Sequence, residues 1–103
     1  MQKTRILIID DHPVVRRGVA ATLSDLSEWE VCGELSSGRE ALAAVSRTRP
    51  DIVVMDVSMP DLNGLEATHQ ILAAHPQVRV LILTMHESEQ LVRDVLASGA
   101  DIC

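Results

Sequence analysis

With 103 residues, 47% of them hydrophobic and 23% charged, the chain has the size and balance of one globular domain. A net charge of −6, nine scattered basic residues, no Phe or Tyr and a single Trp argue against a surface that holds nucleic acid by charge or base stacking. Cys32 and Cys103 fit no metal-ligand or disulfide-framework spacing, and no apolar run approaches the roughly 18 residues of a membrane span.

Ile6–Ile9 is a continuous apolar run, the pattern of a strand buried on both faces. Two acids, Asp10 and Asp11, follow it at once. Pro13 suits the first turn of a helix, where its missing N–H has no partner to lose. Val15, Val19, Leu23 and Leu26 then recur at helical spacing. Val31–Leu35 is shorter, with Glu30 and Glu34 flanking its apolar positions, which predicts an edge strand. SSGREALAAVSRTR predicts a helix with Ser36 or Ser37 near its start and Pro50 beyond its end.

DIVVMD is a second apolar strand, and it too ends on an acid, Asp56. VSMPDLNG is a loop rich in turn formers. Leu65, Thr68 and Leu72 mark a third helix, closed by His75-Pro76. VRVLILT predicts a strand ending at Thr84. HESEQLVRDVLASG predicts a helix with Leu91, Val92, Val95 and Leu96 inside and Gly99 as its stop. ADIC opens a fifth strand.

This alternation of strands and helices predicts a doubly wound, flavodoxin-like α/β fold. Its five parallel strands take the order 2-1-3-4-5. In open sheets of this kind, ligands bind beyond the carboxyl ends of the strands at the switch point, which strands 1 and 3 flank. Those are the strands that end on Asp10, Asp11 and Asp56. Neighbouring strands lie about 4.8 Å apart, so the three carboxylates must cluster. Two carboxylates about 5 Å apart repel by roughly 3 kcal/mol at an effective dielectric of ~20. Three of them call for a cation or raised pKa values. Oxygen donors select a hard ion, and Mg²⁺ commonly pairs one or two carboxylates with waters and a phosphate oxygen. A carboxylate beside such an ion is a candidate nucleophile for phosphoryl transfer, and a hydroxyl from Thr84 is placed by the strand order to meet a phosphoryl oxygen.

IIDDHPVVRRG, VVMDVSMPDLNGLE, LT and ASGAD, in that order, closely resemble the receiver domain of two-component response regulators. DDHPVVRRG is most similar to the subfamily with a C-terminal LuxR-type helix-turn-helix DNA-binding domain. The resemblance runs from residue 5 to the last residue. It implies a receiver over residues 1–103 that accepts a phosphoryl group on Asp56 from a sensor histidine kinase. It implies Mg²⁺ held by Asp11, Asp56 and the Ser58 backbone carbonyl, with Asp10 acting through a water. Thr84 would bond the phosphoryl group and move the face formed by helix 4 and strand 5. Ser58 and His86 would tune phosphoryl lifetime, and Pro60 and Gly64 would shape the loop after the acceptor. The implied output is transcription, with DNA bound only by an output domain outside these residues, and with a homodimer as one assembly under its control. Such a domain is a phosphoryl acceptor with self-phosphorylation and self-dephosphorylation chemistry at most, and is expected to be cytoplasmic with no membrane partner.

Two departures stand out. The family's strand-5 lysine would fall about three residues past Cys103, and the final helix would follow, so strand 5 is expected to be incomplete and the last helix absent. A strand and a helix amount to roughly 17 residues at average lengths. Apolar surface should then show on one side of the sheet. Cys103 also stands where many receivers have an aromatic switch residue, and a thiol cannot reproduce that rotamer signal.

Two rival functions remain open. One is a receiver-like interaction module that works without phosphorylation, which the departures favour and the intact acids oppose. The other is a Mg²⁺-dependent phosphohydrolase, whose usual second acid two residues after the nucleophile is here Ser58. The histidines His12, His69, His75 and His86 show no ligand spacing and read as surface or capping residues, with His86 the partial exception. Met55, Met59 and Met85 read as packing residues, Cys32 as structural, Trp29 as a cap on the core, and Arg16-Arg17 as a solvated helix face.

Overall fold

The computed structural model describes residues 3–56, 64–83 and 89–102. Strand β1 (Thr4–Ile9) is followed by helix α1 (Pro13–Ser24), strand β2 (Trp29–Leu35), a 3₁₀ turn (Gly38–Glu40) and helix α2 (Ala41–Thr48). Then come β3 (Ile52–Asp56), α3 (Gly64–Ala74), β4 (Arg79–Leu83), α4 (Glu89–Ala97) and β5 (Asp101–Ile102). All pairings are parallel and the sheet order is β2-β1-β3-β4-β5, the order expected from the alternation of apolar runs and helical periods.

The boundaries follow local chemistry. Pro13 opens α1. Ser37, rather than Ser36, starts the next helical segment, its Oγ accepting from Arg39 N–H at 3.2 Å. That segment begins as a 3₁₀ turn, because its α-helical bonds start only at Ala41. Pro50 disfavours the right-handed helical region for the residue before it. Arg49 leaves the helix in the left-handed region at φ 50°, and its N–H closes α2 on the Val45 carbonyl. Gly99 ends α4 with φ 92°, a conformation glycine enters without a Cβ clash.

β2 starts at Trp29, two residues ahead of the apolar pattern, because β1 pairs with it from Thr4 onward. The register shifts between Ile6 and Leu7, leaving Cys32 as the extra residue between Val31 and Gly33. The Cys32 thiol then donates to the Ile6 carbonyl at 3.4 Å, so its role is structural as the sequence suggested.

Two cores sandwich the sheet. One face carries Leu7, Ile9, Val53, Met55, Val80 and Ile82 against Ala41, Ala44 and Val45 of α2, Ala67 and Ile71 of α3 and Val95 of α4. The other carries Ile6, Ile8 and Val54 against Ala20, Val19 and Leu23 of α1, with Trp29 at its rim. Among the described residues α1 is the one helix packed on that second face, and Ile52, Leu81 and Leu83 are only partly buried there. Leu26 lies past the end of α1 and is exposed. Of the apolar positions expected inside α4, Val95 is buried whereas Val92 and Leu96 are exposed, because its inward stripe is narrower than the pattern implied.

A candidate cation site at the strand ends

Ile9 is paired with Met55, so the next residue of each chain segment, Asp10 and Asp56, meet at the carboxyl ends of β1 and β3. Asp10 and Asp56 are buried, and Asp11 is partly so. Ligand atoms of Asp10, Asp11, Asp56 and His12 all lie within 4.8 Å of one another. The clustering expected from strand spacing is therefore present, and His12 is part of it.

Each acid is positioned by backbone around it. Asp10 N–H donates to the Leu35 carbonyl at 2.9 Å, continuing the β1–β2 pairing by one residue. The Asp10 carbonyl accepts from Arg16 Nη1 at 2.7 Å. Arg16 is held in turn near Glu34, Nε to Oε1 at 3.5 Å, with little of its side chain exposed. Arg16 thus corrects the expectation of a solvated helix face, because one turn of α1 brings it back over the strand end. Asp10 Oδ1 accepts the His12 backbone N–H at 2.8 Å, a tight turn that fixes the entry to α1.

His12 corrects a second expectation. It occupies the N-cap position of α1 but makes no side-chain cap bond. Its Nδ1 instead lies 2.8 Å from Asp10 Oδ1, 3.1 Å from Asp11 Oδ1 and 3.2 Å from Asp56 Oδ2. The missed signal was adjacency: a residue directly after two site acids, and directly before a proline, has an extended backbone that keeps it near them. His69 and His75 stay outside the cluster, and His75 Nε2 lies 3.0 Å from Ser46 Oγ. Ser58, Pro60, Thr84, His86 and Cys103, with Met59 and Met85, lie outside the described residues. Gly64 is the first residue of α3.

The hydrogen bond to Asp10, and after it the charge of Asp11, raise the His12 pKa above its ordinary value against a smaller opposing loss of solvation. Because the folded-state pKa is raised, His12 favours the metal-free fold fully below its unfolded pKa of about 6.5, and that contribution fades as pH rises through the folded value. In a proton NMR titration of metal-free protein, the His12 ring should titrate above about 6.5. Asp10→Asn should bring its midpoint down more than Asp56→Asn does. Equal effects from the two would contradict the dominance of the Asp10 bond.

The donor chemistry fits a hard divalent cation. Carboxylate oxygens from three residues converge, and Asp11 Oδ1 is a buried oxygen without a hydrogen-bond partner. A buried acceptor left so is costly, and a cation is the natural group to satisfy it.

Fold and site together define a doubly wound α/β protein with a carboxylate cluster at its switch point. The model of the response regulator receiver domain matches residues 6–103, and the chain belongs to that family. It is 40% identical over 96 residues to the response regulator GacA of Pseudomonas viridiflava, covering 93% of this chain and 45% of that protein. It is 41% identical over 98 residues to the transcriptional regulatory protein DegU of Brevibacillus brevis, covering 95% and 42%. A solved LuxR-family two-component response regulator from Aurantimonas sp. SI85-9A1 superposes with a TM-score of 0.91 at 35% identity, covering 98% of this chain and 72% of that one. The chain spans about half the length of the curated relatives it matches. No helix among the described residues is long and apolar enough to cross a membrane.

Proposed function

We propose that this chain is the phosphoryl-accepting switch of a cytoplasmic response regulator that controls transcription, with Asp56 as the acceptor. A sensor histidine kinase supplies the group as a phosphohistidine. An Asp56 carboxylate oxygen attacks phosphorus, the phosphorus–nitrogen bond breaks, and the kinase imidazole leaves with that electron pair. The domain accepts and sheds its own phosphoryl group and turns over no separate substrate. The observation that carries this reading is the convergence of Asp10, Asp11 and Asp56, with Asp11 Oδ1 buried and lacking a hydrogen-bond partner.

Mg²⁺ would be held by Asp11, Asp56 and the Ser58 carbonyl, with Asp10 acting through a water. When bound, it neutralises charge on the transferred phosphoryl group. Arg16 and the Asp10 turn hold the strand end in place. Thr84 supplies a hydroxyl to the phosphoryl oxygens, and Ser58 and His86 tune how long the group persists. Phosphorylation adds charge and acceptor oxygens at the end of β3, the differential contact that a population shift requires. The shift acts through a homodimer or an output domain, and DNA contact belongs to that output domain.

The test is intact mass after incubation with acetyl phosphate and Mg²⁺. One phosphoryl group should add to the wild-type chain and none to Asp56→Asn. Modification that survives in Asp56→Asn would place the acceptor elsewhere. No modification of a wild-type domain shown to be folded and to bind Mg²⁺ would favour a phosphorylation-independent interaction module.

A further inference from the structure

Arg16 meets Asp10 at a backbone atom rather than at its carboxylate. Its Nη1 donates to the Asp10 carbonyl at 2.7 Å, and its Nε lies 3.5 Å from Glu34 Oε1 near the end of β2. Only 16% of the side chain is exposed, so this guanidinium is fixed rather than solvated. The first turn of α1 delivers it: Arg16 N–H donates to the His12 carbonyl at 2.9 Å, and helical side chains lean toward the N-terminus, here over the end of β1.

The other polar groups of Asp10 have partners of their own. Its N–H donates to the Leu35 carbonyl at 2.9 Å, and its Oδ1 accepts from the His12 N–H at 2.8 Å. The carbonyl is therefore the group whose direction Arg16 sets. That carbonyl and the Asp11 N–H belong to one rigid peptide plane. Fixing the plane fixes the Asp11 backbone nitrogen, and with it the direction in which the Asp11 side chain leaves the backbone.

We infer that Arg16 is a positioning residue for the cation site: through the Asp10–Asp11 peptide plane it aims the Asp11 carboxylate at the ion, and Glu34 holds its guanidinium in place. This rests on the metal-site reading given above and deepens it.

Asp11 is the acid that most needs such aiming. Its Oδ1 is buried and accepts no hydrogen bond, with the exposed His12 ring 3.1 Å away as an ion-pair partner, so its direction is set from the backbone. Arginine suits the task, because its planar fork reaches a carbonyl and a carboxylate together. The other end of β1 supplies a control. There Arg5 donates from Nη2 to the Thr48 carbonyl at 2.9 Å and from Nη1 to Glu30 Oε2 at 2.9 Å, the same carbonyl-and-carboxylate pattern at the end of the strand away from the acids.

The test measures Mg²⁺ affinity by calorimetry on the whole chain and its variants, at a temperature where circular dichroism shows each to be folded. Arg16→Met keeps the apolar stem and removes the donors, and it should bind Mg²⁺ about tenfold more weakly. Loss of a positive charge beside the acids would by itself tighten a cation, so weakening has the sign that misplacement of Asp11 gives. Arg16→Lys restores the charge and one donor and should recover most of the affinity. Arg5→Met should lower the melting temperature and leave the Mg²⁺ affinity unchanged. Wild-type or tighter affinity in Arg16→Met would overturn the assignment, as would an equal loss in Arg5→Met, the mark of general loosening. If Arg16→Met does not fold, Arg16→Gln, which keeps a polar end without the reach of a guanidinium, should show the same loss, and its absence would overturn the assignment. A folded wild-type chain that binds no Mg²⁺ would overturn the assignment together with the metal-site reading.

Discussion

Asp11→Asn should weaken divalent-cation binding by about 100-fold, or roughly 2.7 kcal/mol, and at the same time raise the melting temperature of the metal-free protein. The two effects share one cause. Asp10, Asp11 and Asp56 hold like charges within a few ångströms of one another, with the His12 ring beside them. Their repulsion costs stability when no cation is present and becomes attraction when one is. Asparagine keeps the shape of Asp11 and removes its charge. Asp11 is partly exposed, so solvent damps the metal-free gain to about 1 kcal/mol, which in a domain of this size is a rise of several degrees. The loss of affinity is larger because the ion loses an oxygen that has no hydrogen-bond partner to release. Calorimetry with Mg²⁺ and thermal melts in chelator check both halves. Unchanged affinity would remove Asp11 from the site, and a lower melting temperature in chelator would mean that the acids are structurally satisfied without a cation.

Leu7→Ala should destabilise the domain by about 3–4 kcal/mol, a large part of the 5–15 kcal/mol typical of a whole domain. Leu7 is fully buried in the central part of the sheet, between Gly33 of β2 and Val53 of β3. Its side chain fills the space that Gly33 leaves: a Cβ on Gly33 would stand 2.9 Å from Leu7 Cδ1. Gly33→Ala alone should therefore cost about 1–2 kcal/mol, by forcing Leu7 off its packing. The two changes should not add. With Leu7 truncated, the Gly33 methyl finds room, and the double variant should fall short of the summed cost by about 1 kcal/mol. Urea melts of the four proteins in this cycle measure the coupling. Strict additivity would show that Leu7 and Gly33 do not share that space.

Much of the protein could be read along the chain. The apolar runs at Ile6–Ile9, DIVVMD and VRVLILT determined three central strands, because a strand buried on both faces needs hydrophobic residues at consecutive positions. The helices between them required parallel pairing, and parallel pairing with acids at two strand ends required Asp10 and Asp56 to meet. Pro50 and Gly99 marked helix ends by backbone chemistry alone. Other features depend on residues distant in sequence. The early start of β2 comes from its pairing with Thr4, and the extra residue at Cys32 from a register that exists only once β1 lies beside it. Arg16 looked like a solvated helical charge until the turn into α1 laid it over the Asp10 carbonyl. His12 had no spacing to mark it as part of the cluster, because its partners are two sequence neighbours and one residue at the end of β3. Periodicity and residue type fix which faces are apolar and where helices stop, since those are local properties of the chain. Which polar atoms come within 3 Å of each other is set by how strands stack in register, and that was decided only by the tertiary structure.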